Sequence, residues 1–197
     1  MMQTAHRLAL SFLLCFVMTA QAQPANPQVK FVTSAGEFIV EVYPDKTPKT
    51  AENFLIYVRD GHYNGTLFHR VINNFMVQGG GYDTKYNEKN TRPPIKHEGV
   101  EAKANGGLRN TVGTLSMART NNPHSASAQF FINVKDNDFL DHQSTTSQGW
   151  GYVAFGKVIS GMDVVNRIKA TPTGPGGPFP TDVPQTPVVI QSATLVK

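Results

Sequence analysis

An arginine lies within an aromatic and apolar stretch, Phe68-His69-Arg70-Val71-Ile72, and a second such stretch, Phe75-Met76-Val77-Gln78, follows it closely. A guanidinium in apolar surroundings must find hydrogen-bond partners. If residues 68–72 form a strand, side chains alternate, and Arg70 shares a face with Phe68 and Ile72. We expect Gln78, on the neighbouring strand, to be its hydrogen-bond partner. The alternative is a surface arginine on an edge strand.

The sequence contains none of the common motifs for nucleotide, zinc or serine-hydrolase chemistry. It lacks a phosphate-binding GxxxxGK[ST] loop, a GxGxxG turn after a strand, HExxH and GxSxG. The histidines are not spaced as metal ligands, and we interpret them as surface or supporting residues: His62, His69, His97, His124 and His142. The sequence therefore indicates no nucleotide, metal or serine-hydrolase site.

The N-terminus has the layout of a secretory signal. His6 and Arg7 precede a charge-free stretch over residues 8–18, and Ala20-Gln21-Ala22 offers a small-x-small cleavage site. The apolar stretch is too short to cross a bilayer. A buried N-terminal helix and a lipoprotein anchored at Cys15 are alternatives, but Leu14 is not the small residue expected before a lipidated cysteine. We predict a signal peptide over residues 1–22 and a single domain over residues 23–197.

The charge pattern indicates no nucleic-acid partner. The chain carries a formal net charge of +4, but basic residues lie among acidic ones, as in Asp45-Lys46 and Lys135-Asp136. A nucleic-acid surface needs basic residues clustered on one face. No segment after the signal is long and apolar enough to span a membrane, so we expect no membrane insertion of the mature chain.

Local patterns predict a mainly β fold with two helices. Val29–Thr33 and Glu37–Val42 are β-rich and joined by a turn ending in Gly36. A helix with Thr47 as cap and Pro48 at its first position is expected to end at Gly61. Six short apolar runs have the length of strands, and a second helix is predicted from Met162. These runs are 66–71, 75–78, 112–118, 130–133, 152–158 and 188–196.

Many short strands with few helices favour a closed antiparallel barrel, because closure removes exposed edges. One helix is expected to cover each open end. The segments over residues 79–107 and 171–187 are rich in Gly, Pro and Asn and are interpreted as ordered surface loops.

Five blocks of this sequence resemble the cyclophilins, in the same order and with similar spacing, over a region from about Val29 to the C-terminus. The blocks are Phe68–Ile72, Phe75–Gly80, Gly113–Ala118, Ser127–Ile132 and Val153–Val158. The signal, together with Met117-Ala118-Arg119-Thr120 and Phe139-Leu140-Asp141-His142, is most similar to the periplasmic bacterial branch. The resemblance implies an eight-stranded antiparallel closed β-barrel capped by two α-helices.

The resemblance also implies roles for individual residues. Arg70 is the expected catalytic arginine and Gln78 its partner, while Ala118 and Gln129 match positions that contact the peptide backbone. The proline pocket is expected from Phe75, Met76, Phe131 and Leu140. Two positions depart from the family: Phe139 replaces its usual tryptophan and Tyr152 its usual histidine. Arg119 stands where many members have asparagine.

By this resemblance the chain is expected to be a periplasmic peptidyl-prolyl cis/trans isomerase without a cofactor. Its partners would be proline-containing segments of unfolded or flexible exported proteins, and it would act as a monomer. Loss of the indole at Phe139 predicts weak cyclosporin binding. Two alternatives stay open: a non-catalytic chaperone that binds proline-containing peptides, and a barrel that carries a small hydrophobic ligand.

Overall fold

The computed structural model describes residues 25–196. The signal peptide predicted over residues 1–22 lies outside the described residues. No helix within residues 25–196 is long and apolar enough to cross a bilayer.

Within the described part of the chain, nine strands form one antiparallel, curled sheet, and two more form a separate hairpin. The strands of the large sheet are β1 Gln28–Thr33, β2 Gly36–Val42, β3 Thr66–Leu67, β4 Arg70–Ile72, β5 Met76–Gly79, β6 Thr114–Met117, β7 Phe130–Asn133, β8 Ala154–Ser160 and β11 Val189–Leu195. The hairpin consists of β9 Thr173–Gly176 and β10 Phe179–Pro184. The helices are α1 Pro48–Arg59, α2 Gly99–Ala104 and α3 Met162–Lys169, and a 3-10 turn covers Asp138–Leu140.

The mainly β architecture with a helix from Pro48 and another from Met162 is confirmed, but the closed eight-stranded barrel is not. The sheet runs in the order β3-β11-β1-β2-β8-β6-β7-β5-β4, and no ladder joins its two terminal strands. These strands come from one predicted strand over residues 66–71, which is interrupted at Phe68-His69. The interruption raises the strand count to nine and leaves a half-barrel.

Aromatic side chains fill the interior of the curled sheet. Phe31 stacks on Phe38 with ring centroids 4.9 Å apart, and Phe54 of α1 approaches Phe155 to the same distance. Phe130 packs edge-on against Phe54. These rings are all buried. An interior packed in this way does not favour the alternative of a barrel that carries a hydrophobic ligand.

Helix α1 is capped differently from the sequence prediction. Thr47 occupies the N-cap position, but its side chain makes no capping hydrogen bond. The carboxylate of Glu98 accepts hydrogen bonds from the backbone N–H groups of Lys49 at 3.0 Å and Thr50 at 2.6 Å. It also accepts one from the Thr50 hydroxyl at 2.7 Å. A distant acid therefore satisfies the free N–H groups of the first turn.

Two segments expected to be loops contain regular structure. Helix α2 lies within residues 79–107, and the β9–β10 hairpin lies within residues 171–187. Pro and Gly in β9 obscured its strand pattern, because both residues are rare in strands. The hairpin packs beside β4, the strand that carries Arg70.

Candidate active site

A second, smaller apolar cluster lies on the outer face of the sheet. Its centre consists of Met76, Phe131 and Leu140, which are at most 8% exposed. Four partly buried side chains pack around it: Ile72, Phe75, Ala118 and Tyr152. Strand alternation explains the separation, since Val77 of β5 and Ile132 of β7 point into the main core instead.

This outer cluster forms the floor of a cleft of about 310 Å³. The cleft brings together all of the predicted site residues except Phe139. Its lining comprises His69, Arg70, Phe75, Met76, Gln78, Tyr82, Ala118, Arg119, Gln129, Phe131, Leu140, Tyr152 and Phe179. The arrangement is a compact apolar pocket with polar side chains along one side.

Arg70 faces this cleft, but the predicted alternation is only partly correct. Ile72 shares the outer face with Arg70, whereas Phe68 is buried in the main core. The break between β3 and β4 at Phe68-His69 shifts the alternation between Phe68 and Arg70. The side chain of Arg70 is 42% exposed, and its Nε lies 3.7 Å from Oδ2 of Asp182. The guanidinium is therefore accessible from the cleft.

Gln78 is the cross-strand neighbour of Arg70, as predicted, but its side chain has a different partner. Arg70 and Gln78 are paired between β4 and β5. The Gln78 amide donates to Oε1 of Gln129 at 3.0 Å. The expected Arg70–Gln78 hydrogen bond is thus replaced in this structure by a pair of amides that line the cleft next to the guanidinium.

Phe139 lies at the rim of the cleft. Its side chain is 73% exposed, and its ring stacks on Phe75 at a centroid distance of 6.0 Å. Phe139 belongs to the short 3-10 turn that also places Leu140 in the pocket. The apolar surface of the pocket therefore continues outward, from Phe75 to the exposed ring of Phe139.

Tyr152 is fixed at the opposite wall by its neighbours. The Arg119 guanidinium lies 4.6 Å from the centre of the Tyr152 ring, in a cation–π arrangement. Nε of Arg119 donates to the Gly151 carbonyl at 2.9 Å, and the Tyr152 N–H donates to the Leu140 carbonyl at 2.8 Å. Arg119 therefore supports the wall of the cleft as well as bordering it.

Three aromatic residues beside Arg70 were missed by the sequence interpretation. His69 stacks on Phe179 at 5.4 Å, and Tyr82 packs edge-on against both rings. His69 is 2% exposed, and burial lowers its pKa to about 4, so its ring is neutral at neutral pH. The position of His69 next to Arg70 in the sequence was a signal that His69 lies beside the cleft. Phe179 gave no such signal, since it lies far along the chain in an expected loop.

A second cavity, of about 300 Å³, adjoins the cleft across Tyr152. The charged side chains Arg109 and Asp141, which line this cavity, form ion pairs and hydrogen bonds with neighbouring residues. Arg109 pairs with Asp138 and Asp141, and the Asp141 carboxylate also accepts from Asn110. These hydrogen bonds hold the pKa of Asp141 below its usual range despite the opposing effect of partial burial. We assign no chemistry to this cavity.

Within residues 25–196, no group of three or more His, Cys, Asp or Glu side chains is arranged to hold a metal ion. The cleft instead combines an apolar pocket with two amides, the Arg70 guanidinium on one side and Arg119 at the wall formed by Tyr152. Such a site can bind a small apolar ring and donate a hydrogen bond next to it.

Comparisons with known proteins agree with this geometry. The family model described as "Cyclophilin type peptidyl-prolyl cis-trans isomerase/CLD" matches residues 28–195. Peptidyl-prolyl cis-trans isomerase B of Escherichia coli (strain K12) is 53% identical over 167 residues, which cover 85% of this chain and 98% of that protein. Peptidyl-prolyl cis-trans isomerase A of Dickeya dadantii (strain 3937) is 47% identical, with 90% of this chain and 89% of that protein covered.

Solved structures show the same fold. A crystal structure of a cyclophilin type peptidyl-prolyl cis-trans isomerase from Cryptosporidium parvum has a TM-score of 0.64 at 25% identity, covering 87% of this chain and 98% of that one. A structure of the same protein in the presence of the dipeptide Ala-Pro has a TM-score of 0.62 at 25% identity, covering 86% and 99%.

Proposed function

The chain belongs to the cyclophilin-type peptidyl-prolyl cis-trans isomerases, and from this premise we propose that it isomerises X-Pro bonds in the outer cleft with Arg70 as its catalytic residue. The observation that carries this proposal is the accessible Arg70 guanidinium beside the pocket of Met76, Phe131 and Leu140. We further propose that it acts in the periplasm, on exported proteins.

The apolar cluster suits a proline ring. A pyrrolidine is compact and apolar, and burying it against Met76, Phe131 and Leu140 removes apolar surface from water. The side chain of Ala118 is small, so a peptide backbone can approach the pocket on that side. Gln129 and Gln78 lie beside the pocket and offer amide groups to that backbone. The residues before and after proline would therefore run across the cleft while the ring stays fixed.

Arg70 supplies the catalytic interaction. Resonance stiffens the peptide C–N bond and gives a rotation barrier of roughly 18 to 20 kcal/mol. As the bond twists, the imide nitrogen regains its lone pair and can accept a hydrogen bond. Donation by the guanidinium is then stronger in the transition state than in either ground state, which lowers the barrier. No covalent bond is made or broken, so no cofactor is required.

Substrate class and location rest on different supports. A related isomerase was crystallised in the presence of Ala-Pro, which supports proline-containing peptides as ligands of this cleft. The basic, apolar and small-residue pattern over residues 1–22 supports export. Phe139 has no indole N–H to donate, so we expect only weak binding of cyclosporin-type macrocycles. A monomer remains our expectation.

The test of the catalytic role is Arg70→Ala in a protease-coupled assay on a proline tetrapeptide. Loss of a transition-state donor is expected to lower kcat/KM by about 10²- to 10³-fold, with little change in the thermal unfolding midpoint, because Arg70 is a half-exposed side chain. The matched control is Arg59→Ala, which removes an exposed arginine paired with Glu52 on α1. Near wild-type turnover by Arg70→Ala would refute the assignment.

The competing function is a chaperone that binds proline-containing segments without catalysis. Family membership does not favour it. A refolding experiment separates the two, because an enzyme accelerates a slow proline-limited phase at substoichiometric amounts. A chaperone that only holds its client needs roughly stoichiometric protein.

A further inference from the structure

We propose that Asp182 is a positioning residue that fixes the orientation of Arg70 in the cleft. This inference rests on the proposed role of Arg70 and adds the element that orients its side chain. Asp182 lies on β10, in the hairpin beside β4, and its Oδ2 is 3.7 Å from Nε of Arg70. Within residues 25–196, this is the salt bridge that Arg70 makes.

The pairing of β9 with β10 is irregular around Asp182, between Phe179 and Val183. Phe179 pairs with Gly176 and Val183 pairs with Gly174, so β10 advances four residues while β9 advances two. The extra residues form a bulge that includes Asp182. Bulges next to active sites commonly redirect a side chain. Here the bulge turns a carboxylate from the hairpin toward the neighbouring strand.

Asp182 also has an unusual backbone conformation, with φ of 67°. A non-glycine residue in the left-handed region is uncommon and costs free energy, although Asp and Asn tolerate it best. Such strain persists where the surrounding structure holds it and often marks a functional position. Both sides of the bulge are anchored: Phe179 stacks on buried His69, and Val183 is 1% exposed.

The contact between Asp182 and Arg70 involves Nε and leaves the two terminal nitrogens of the guanidinium available to a substrate. The carboxylate lies near Nε, the nitrogen closest to the aliphatic part of the side chain. The two terminal nitrogens can then face the substrate. A half-exposed arginine otherwise samples several rotamers, and holding one of them lowers the entropy cost at the transition state. Asp182 would thus raise kcat without contacting the substrate.

The variant Asp182→Asn tests this role, because Asn tolerates the same φ but carries no charge. We expect kcat/KM to fall by about two- to fivefold, the scale of an ion pair near the surface. The fall should be in kcat, with KM changed by less than about twofold. The exchange of the Arg70 Nε–H proton with water, followed by NMR, should become faster. Glu37→Gln, which neutralises an exposed acid paired with Lys30, should change none of these quantities.

A double variant separates positioning from a general effect on the hairpin. In the Arg70→Ala background, where there is no guanidinium to orient, Asp182→Asn should cause no further loss. Wild-type kcat in Asp182→Asn, or an equal loss in both backgrounds, would overturn the inference while leaving the role of Arg70 intact. Conversely, near wild-type activity of Arg70→Ala alone would refute the proposed catalytic residue itself.

Discussion

In the proposed mechanism, Arg70 serves two partners at once. Its Nε lies 3.7 Å from Oδ2 of Asp182, and the residue lines the cleft in which we propose that the substrate binds. A guanidinium can do both because its donors are spread over a rigid plane, whereas a lysine ammonium is a single point of charge.

Arg70→Lys should retain the positive charge but lose at least about tenfold in kcat/KM, because one nitrogen cannot reach the carboxylate and the imide together. The measurement is the protease-coupled assay, with the matched substitution Arg59→Lys on α1 as control. Activity within about twofold of wild type would mean that charge alone suffices and that the planar donor arrangement is irrelevant.

How far the sequence predicts the site depends on how local each contact is. Strand pairing places Gln78 beside Arg70, as local rules predict, whereas Phe131 was expected in the cleft only from the family resemblance. Phe179, which lines the cleft, and Asp182, which lies near Arg70, could not be placed, since both belong to a distant hairpin whose Pro and Gly residues conceal a strand. The partner of Gln78 was also mispredicted, because the choice between Arg70 and Gln129 depends on side-chain geometry.

At the scale of elements, α1 depends on a residue that lies outside it. The buried carboxylate of Glu98, 2% exposed, accepts two backbone N–H groups and one hydroxyl at the start of the helix. The helix N-terminus carries a partial positive charge that a carboxylate stabilises. The same contact joins α1 to the segment that begins α2.

Glu98→Gln should therefore destabilise the fold by about 1 to 3 kcal/mol, since a buried charged acceptor is replaced by an amide whose NH₂ group opposes the helix N–H groups. Urea unfolding monitored by circular dichroism would measure it. Glu52→Gln on the exposed face of α1 is the control and should change stability by less than about 0.5 kcal/mol. Equal effects of the two substitutions would contradict the capping role.

The sequence predicts the elements better than their closure. Periodicity identified the first hairpin, α1, α3 and most strands, because those signals are local. It did not reveal the interruption at Phe68-His69, where the chain leaves β11 and continues beside β5. That bend depends on partners distant in sequence. The prediction that Thr47 caps α1 was wrong for a similar reason, because local rules cannot detect an acid as distant in sequence as Glu98.

For the whole molecule, we expect buried histidines to lower stability in mild acid. Burial lowers the pKa of His69 and His97 to about 4. For His97, the nearby Arg119, His142 and His124 add to this effect, whereas the hydrogen bond to the Gly151 carbonyl opposes it. Burial also lowers the pKa of His62. In each case the folded state binds a proton less readily than the unfolded chain.

The sign of the effect follows directly from these pKa values. Above the ordinary histidine pKa of about 6.5, both states are neutral and stability is at its full value. Between about pH 6.5 and 4 the unfolded chain takes up protons that the folded state does not, so stability falls as the pH falls. Asp83, Asp141 and Asp163 have lowered pKa values, so their contribution is lost only at still lower pH, below their ordinary value of 3.8.

His97→Gln tests this account away from the cleft, because an amide can still donate to the Gly151 carbonyl but does not titrate. The free energy of unfolding, measured at pH 7 and pH 5, should decrease for the wild-type protein. The decrease should be smaller in the variant by about 1 kcal/mol, a value reduced to allow for partial solvent screening. Parallel pH dependence in the two proteins would show that His97 is not responsible. The slope would then be assigned to His62 and His69, the other described histidines whose pKa is lowered by burial.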